Sequence, residues 1–140
     1  MEHKCQNNKG NGIKVNKQLY EQRTTEHLKH ARVLLATGDY VQAGEKIWGA
    51  LSALVNSKSA DFKDVKGVED KRYYFNRLFN SYNNRAPTLY PKMRGLHFSD
   101  SDEIFDNIYG LHKFFYGGAI YSDQQLKKYL PFFIELLENL

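Results

Sequence analysis

Apolar side chains recur every three or four positions along this 140-residue chain, which is the spacing of one face of an α-helix. One such stripe consists of Ala43, Ile47, Ala50, Leu51 and Leu54. Two later stripes consist of Ile104, Ile108, Leu111 and Phe115, and of Leu126, Leu130, Phe133, Leu137 and Leu140. No segment shows the sustained apolar and polar alternation of a half-buried strand. The pattern predicts an all-α protein of about five helices in an up-and-down bundle.

Capping signals divide the chain into these helices. Three residue pairs have the spacing of a capping box: Asp39 with Gln42, Asp100 with Glu103, and Ser122 with Gln125. Gly38 favours the left-handed conformation that ends a helix, so a tight corner is predicted between a helix from Asn16 to about Ala36 and the next one. A third helix is predicted from about Val68 to Tyr82. The segment 83–99 contains two prolines and a glycine and is predicted to be the longest loop.

The first 16 residues differ in composition from the rest of the chain. They are rich in Asn, Gln, Gly and Lys and have few apolar groups to offset the entropy of ordering them. We therefore predict a flexible polar tail over residues 1–16 and a single helical-bundle domain over residues 17–140. A length of 140 residues with 41% hydrophobic side chains suits one core and no more.

The cellular compartment is predicted from the absence of paired cysteines, of a membrane span and of a signal peptide in the sequence. Cys5 is the only cysteine, so no intramolecular disulfide can form. No apolar run approaches the length of a membrane span, and the residues from Met1 to Lys17 are polar where a signal peptide would be apolar. We therefore predict a cytoplasmic protein with no membrane partner.

The net charge of +4 is unevenly distributed along the chain. Residues 1–17 carry a net charge of +3 and residues 58–94 a net charge of +5, whereas residues 95–140 carry a net charge of −4. A basic middle and an acidic end are typical either of a nucleic-acid surface or of complementary patches that meet in a dimer. The second interpretation accounts for both signs of charge.

A basic and aromatic segment over residues 71–98 is the strongest nucleic-acid signal. Cations there alternate with aromatic residues, and single-strand binding needs both, because cations neutralise phosphates and aromatic faces stack on bases. Arg85, Lys92 and Arg94 are the candidate nucleic-acid-binding residues, since they lie in the predicted loop and no helix face requires them. In the alternative interpretation, Phe75 and Phe79 are core residues and the cations form a solvated surface.

Metal binding is not supported by the spacing of the histidines. His27 and His30 are one helical turn apart and could begin a site with Glu26, but no third or fourth ligand follows at a recognisable spacing. No glycine-rich phosphate loop or Ser-His-Asp order is present either. We predict no metal and no cofactor.

Two strings of residues resemble a known family. The segment LLATGDYVQAGEKIWGA, from Leu34 to Ala50, and the later LHKFFYGG, which begins at Leu111, are similar to the archaeal PaREP family. That family belongs to the broad HEPN-like group of helical bundles, so the resemblance implies a HEPN-like fold for residues 17–140. It also implies a protein that acts as a homodimer or as a partner subunit, in some cases beside a nucleotidyltransferase.

The resemblance also implies where a catalytic site would lie. Active HEPN ribonucleases carry an Arg-x4-6-His motif on a late helix, where two protomers form a metal-independent RNA-cleaving site. Asn107 and His112 match that motif and are the candidate catalytic residues, but Asp106 stands at the Arg position. A carboxylate repels a phosphate and cannot stabilise its transition state as a guanidinium does. This departure favours a non-catalytic binding or protein-interaction module. The alternative is a ribonuclease that borrows a cation such as Arg94, or an RNA-binding protein.

Overall fold

A computed structural model describes the backbone of residues 2–59, 65–83, 89–117 and 121–140, and the side chains of residues 17–59, 65–82, 91–117 and 121–140. These ranges contain six α-helices and no strand, which confirms the all-α prediction. The helices are α1 (Glu2–Ala36), α2 (Tyr40–Lys58), α3 (Val68–Asn83), α4 (Leu89–Gly95), α5 (Ser101–Phe115) and α6 (Asp123–Asn139). None of the helices in the described ranges has the length and apolar character needed to cross a membrane. The up-and-down order of the bundle stays a prediction.

The sixth helix is α4, which lies inside the segment predicted to be a loop, so the prediction of about five helices was one too few. Pro91 lies in the first turn of α4, where its missing N–H breaks no intrahelical hydrogen bond. Met93 is buried, so this short helix contributes to the core. The amide of Phe98 closes the end of the helix by donating to the carbonyl of Met93 (3.0 Å). Residues 84–88 of the predicted loop lie outside the described residues.

Helix α1 begins at Glu2 and not at Asn16, so its backbone includes most of the segment predicted to be a flexible tail. Helical hydrogen bonds join residues four positions apart, and a helix can therefore continue beyond the last residue that packs on a core. The side chains of residues 1–16 lie outside the described residues. The division into a tail and a single domain stays a prediction.

The corner between α1 and α2 forms at Gly38, as predicted, with a φ of +83°. The amides of Gly38 and Asp39 donate to the carbonyls of Leu35 and Leu34, which caps the end of α1. The Asp39 carboxylate then accepts from the amide of Gln42 (3.3 Å) and caps α2. Because the Asp39 amide is already bonded to Leu34, the return bond predicted from the Gln42 side chain does not form.

The two later helix starts also lie where the sequence predicts them. Ser122 and Gln125 form a full capping box at the start of α6. Asp100 caps α5 by accepting from the amide of Glu103 (2.8 Å), but the Glu103 carboxylate bonds the amide and hydroxyl of Ser99. The return bond of the capping box at α5 therefore goes to Ser99, one residue before the N-cap Asp100.

Helix α2 lies at the centre of the fold and packs against α1, α3, α5 and α6. The predicted stripe of α2 is buried throughout, as are Ile104, Ile108 and Leu111 of α5 and Leu126, Leu130, Phe133 and Leu137 of α6. Gly44 allows α5 to approach α2 closely, because a Cβ at this position would lie 3.2 Å from the Cβ of Leu111. This approach brings the next residue of α2, Glu45, against α5.

Candidate functional site

The candidate catalytic histidine, His112, is bound to a carboxylate of α2. Its Nδ1 lies 3.0 and 2.9 Å from the two carboxylate oxygens of Glu45. The His112 side chain is 32% exposed and the Glu45 side chain 24% exposed, so the pair lies at the edge of the core. A carboxylate that accepts from Nδ1–H holds the ring orientation and leaves Nε2 as the unprotonated nitrogen of the neutral imidazole.

Aromatic rings surround this pair on three sides. The His112 ring stacks on Trp48 at a centroid distance of 5.5 Å and on Tyr109 at 6.2 Å, and Tyr116 meets its edge at 5.1 Å. Trp48 follows Glu45 by one helical turn, so α2 supplies both the carboxylate and the ring beneath the imidazole. Tyr116 is 72% exposed, which leaves one large aromatic surface in solvent next to His112.

Two lysines lie on the same aromatic cluster. The Nζ of Lys71 lies 5.0 Å from the centre of the Trp48 ring, and the Nζ of Lys113 lies 4.9 Å from the centre of the Tyr109 ring. Both arrangements are favourable cation–π contacts. Burial lowers the pKa of Lys71. The face that contains His112 therefore combines cations with aromatic rings.

Asp106, which stands at the Arg position of the motif, is paired with a guanidinium from another helix. Nη2 of Arg72, on α3, lies 2.6 Å from a carboxylate oxygen of Asp106. The same guanidinium lies 3.2 Å from Glu69 and 3.6 Å from Asp102. Burial lowers the pKa of Arg72, but the hydrogen bond to Asp106 and the nearby carboxylates more than offset this, so the net shift is upward. Three carboxylates around one cation leave an excess of negative charge at this end of α5.

Asn107 is not brought together with His112. They are five positions apart on α5, which places their side chains about 140° apart around the helix axis. The Asn107 side chain donates to the backbone carbonyl of Glu103 (2.9 Å), and the backbone carbonyl of Asn107 accepts from the hydroxyl of Tyr121 (3.1 Å). The side chain of Asn107 therefore bonds within its own helix.

The candidate nucleic-acid-binding residues do not form one basic patch within the described residues. Lys92, on α4, is paired with Glu135 of α6, with Nζ 2.7 and 2.9 Å from the two carboxylate oxygens. Arg94 is exposed, and Arg85 lies outside the described residues. Phe75 and Phe79 are buried, as the core interpretation of this segment requires. Of the candidate residues that the structure describes, Arg94 is exposed and forms no ion pair with another described residue.

The histidines of α1 do not form a metal centre in the part of the chain that the structure describes, where no group of three ligand-type side chains is found. The His27 ring packs against Gly49 of α2, at 3.2 Å from the position a Cβ would take. Burial and the positive charge of Lys46 lower the pKa of His27. His27 is therefore a packing residue between α1 and α2.

Sequence reasoning missed Glu45, Trp48 and Arg72, which are the residues that define the surroundings of His112 and Asp106. A signal for Glu45 was present, because it lies beside the apolar stripe of α2, between Gly44 and Ile47, where a carboxylate needs a partner. The sequence carries no equivalent signal for Arg72, because nothing in its spacing distinguishes it from the other cations of the basic segment.

Comparison with known proteins identifies the family. A protein-family model described as the archaeal PaREP1/PaREP8 family matches residues 19–129. No curated protein matches the chain, and no solved structure matches it. The matched region includes the α1–α2 corner, Glu45, Arg72 and the whole of α5. The chain belongs to the archaeal PaREP1/PaREP8 family.

Proposed function

We propose that the protein is a non-catalytic interaction module that self-associates through an exposed stripe of α5. This α5 stripe consists of the exposed residues Asp102, Asp106, Lys113 and Tyr116 and of Tyr109, which is partly buried. Successive members are three or four residues apart, so they share one side of the helix and its C-cap. Asp102 and Asp106 make one end of the stripe negative, and Lys113 makes the other end positive. Tyr109 lies between these charges, and Tyr116 follows Lys113.

The distribution of charge along the α5 stripe is the observation that supports self-association. Two copies packed antiparallel, with a twofold axis near Tyr109, would place Asp106 of each copy beside Lys113 of the other, because both lie about 5 Å from Tyr109 along the helix axis. Asp102 and Glu69 add to the acidic end, where Arg72 neutralises one of the three carboxylates. Each contact would occur twice, since a twofold interface repeats every pair.

The surroundings of Asp106, which stands at the Arg position of the motif, support a role without catalysis. Transition-state stabilisation in phosphodiester cleavage needs a cation that is free to bind the phosphate. The guanidinium nearest to the motif position belongs to Arg72, and Asp106, Asp102 and Glu69 all lie within 4 Å of it. A phosphate would have to displace carboxylates to reach Arg72, which costs more than binding to a free cation.

Charge exchange across α5 tests the proposal. We expect the wild-type chain to form a dimer in light scattering, and Asp106→Lys and Lys113→Asp each to raise the dimer dissociation constant about tenfold, because attraction becomes repulsion at two symmetric positions. An equimolar mixture of the two variants, and the double variant, should both regain dimerisation. Lys128→Asp is the matched control, since it makes the same charge change on the exposed surface of α6.

Two outcomes would overturn the proposal. A wild-type chain that stays monomeric at about 100 μM would exclude a stable homodimer. A dimer that neither charge variant weakens would exclude the α5 stripe as its interface. Thermal unfolding of each variant separates loss of association from loss of folding, because Asp106→Lys also places a second cation beside Arg72.

A partner subunit is a second form of the same proposal. The family resemblance implies a nucleotidyltransferase as one such partner, and a mixed-charge surface suits a heterodimer as well as a homodimer. Co-purification with a nucleotidyltransferase, where a neighbouring gene encodes one, tests this form. We expect Lys113→Asp to weaken that complex if the same α5 stripe is used, and unchanged co-purification would place the contact elsewhere.

Metal-independent RNA cleavage is a second candidate function, and the Glu45–His112 pair favours it. A carboxylate bonded to Nδ1 prepares Nε2 to accept a proton, as in other acid–base sites. Incubation of structured and single-stranded RNA with wild type and His112→Ala in EDTA distinguishes the two functions. Cleavage that is lost in His112→Ala would support the ribonuclease, and no cleavage by either protein would exclude it.

Nucleic-acid binding through Arg85, Lys92 and Arg94 stays a separate prediction. The ion pair of Lys92 with Glu135 opposes it, because a phosphate must compete with a carboxylate already in place. If α4 binds RNA, the affinity should fall steeply with salt and fall again in Arg94→Ala. Affinity that is insensitive to salt would remove this function.

A further inference from the structure

We propose that a pocket between the end of α2 and the outer side of α3 binds a phosphate of a single-stranded nucleic acid, with a base stacked on the ring of Tyr73. The pocket has a volume of about 210 Å³. The described residues that line it are Lys58, Tyr74, Arg77, Leu78 and Ser81. Two of these residues are cations and none is a carboxylate. This set suits a nucleic-acid backbone, because cations neutralise its phosphates.

Neither cation of the pocket forms an ion pair with another described residue. Lys58 is the last residue of α2 and is exposed. Arg77 is exposed as well, and its Nη1 donates to the hydroxyl of Tyr73 (3.3 Å). A guanidinium has five N–H donors, so others remain to bond a phosphate. Lys92, by contrast, is already paired with Glu135.

Asp70 lies on the same side of α3 as Arg77, and its carboxylate reduces the positive charge there. It precedes Arg77 by seven positions, which is two helical turns and about 10 Å along the axis. That distance is about one Debye length at 0.1 M salt, so solvent ions screen much of its effect at the pocket. Glu69, in the same turn, is bonded to Arg72. Among the described residues, the pocket therefore keeps a local positive charge.

Tyr73 supplies an aromatic surface beside the cations. Its side chain is 56% exposed, and its ring meets that of Tyr74 edge to face at a centroid distance of 5.3 Å. The Cζ of Arg77 lies 5.6 Å from the centre of the Tyr73 ring. A stacking ring and a phosphate-binding cation are therefore one helical turn apart. Binding of single strands uses this combination, because unpaired bases offer their faces to aromatic side chains.

The pocket is separate from the α5 stripe and from α4. Arg72, which contacts α5, lies five positions before Arg77 and therefore about 140° from it around the axis of α3. No described residue of α4 or α5 lines the pocket. The inference is therefore independent of self-association, and it is distinct from nucleic-acid binding through Lys92 and Arg94.

Fluorescence anisotropy with a labelled oligouridylate tests the site. We expect wild type to bind it with a dissociation constant below about 100 μM at low salt, as in other non-specific binding of nucleic acid. The logarithm of the affinity should fall with the logarithm of the salt concentration with a slope of about −1.4, because two cations each contribute about −0.7 on a single strand. An abasic strand with the same number of phosphates should bind more weakly by about fivefold or more, because it has no base to stack on Tyr73.

Two positions separate the contribution of charge from that of stacking. Arg77→Glu should weaken binding by about tenfold or more, because a carboxylate replaces a cation of the pocket. Tyr73→Ala should weaken it by about fivefold or more, whereas Tyr73→Phe should bind within about twofold of wild type, since the ring stays. The matched control is Arg23→Glu. Arg23 is exposed, and its Cζ lies at the same distance of 5.6 Å from a tyrosine ring, that of Tyr20 on α1. This control should leave binding unchanged.

Three outcomes would overturn the inference. The first is absence of oligouridylate binding up to about 100 μM protein at low salt. The second is binding of the abasic strand, or of a duplex of the same length, that is as tight as binding of the single strand. The third is an equal loss of affinity in Arg77→Glu and Arg23→Glu, which would show that binding follows the net charge of the protein and not the pocket. Thermal unfolding of each variant separates loss of binding from loss of folding.

Discussion

The Glu45 carboxylate holds Nδ1 of His112 with both of its oxygens, across 67 positions of sequence and between two different helices. The contact depends on Gly44, which lets α5 approach α2 to within van der Waals contact of Leu111. It joins the two strings of residues that carry the family resemblance, one on α2 and one on α5. A side-chain pair therefore links two parts of the chain that lie far apart in the sequence.

Loss of the Glu45 carboxylate should destabilise the fold modestly. We expect Glu45→Ala to lower the free energy of unfolding by about 1 kcal/mol, because it leaves the Nδ1 of a half-buried imidazole without its acceptor. Glu45→Gln should cost less, since the amide oxygen can still accept. Urea denaturation measures both, with Glu26→Ala as a control on exposed α1. A Glu45→Ala variant as stable as wild type would contradict the structural role of the pair.

Gly110 should not tolerate a methyl group while Tyr121 keeps its hydroxyl. A Cβ at Gly110 would lie 2.1 Å from the hydroxyl oxygen of Tyr121, which bonds the carbonyl of Asn107. We expect Gly110→Ala to cost about 1–3 kcal/mol, since the clash outweighs the better helix propensity of alanine.

A double-mutant cycle identifies the hydroxyl as the cause of that cost. Tyr121→Phe removes the clashing atom, so Gly110→Ala should cost less in the Tyr121→Phe background than in wild type, and the two changes should not add. Thermal or urea unfolding of the four proteins gives the coupling energy. Additive effects would show that the methyl group clashes with something other than the Tyr121 hydroxyl.

Replacement of His97 by glycine should stabilise the fold. Its φ is +64°, a left-handed conformation that follows α4 and that residues with a Cβ rarely adopt. We expect His97→Gly to raise the free energy of unfolding by about 1 kcal/mol, because it removes the contact of Cβ with the following carbonyl. His97→Val should have the opposite effect, since a β-branched side chain is strained there. Denaturation midpoints of the three proteins check the order, and a less stable glycine variant would refute it.

Stability should fall as the pH drops through the titration of His27. Burial, followed by the positive charge of Lys46, lowers the pKa of His27 below 6.5. The unfolded chain therefore binds a proton at a higher pH than the folded chain, so this histidine opposes folding as the pH falls from 6.5 to its folded pKa, and not further below. An NMR titration of the His27 ring should give a midpoint below 6.5.

The Lys46→Met variant separates the two causes of that shift. Removal of the lysine charge should move the His27 midpoint upward, but not fully to 6.5, because the ring stays packed against Gly49. A midpoint at or above 6.5 in wild type would show that the ring is solvated and that the packing between α1 and α2 is looser at this point.

Local signals in the sequence determined where most helices start and end. Gly38, Asp39, Asp100 and Ser122 act on the backbone within a few residues, and the structure finds each where the sequence places it. The buried faces of α2 and α6 were also predictable, because helical spacing alone selects the side that packs. Helix α4 was missed because Pro91 and Gly95 signal a loop locally, whereas burial of Met93 favours a helix there.

Only the tertiary structure decided which side chains meet. The motif implied by the family resemblance groups His112 with Asn107, but the packing of α5 on α2 places His112 against Glu45 and Trp48 instead. The cation beside Asp106 is Arg72 of α3, and Lys92 forms an ion pair with Glu135. Partners of this kind follow from the angle and distance between helices, which depend on the fit of many core side chains at once. No short stretch of sequence contains that information.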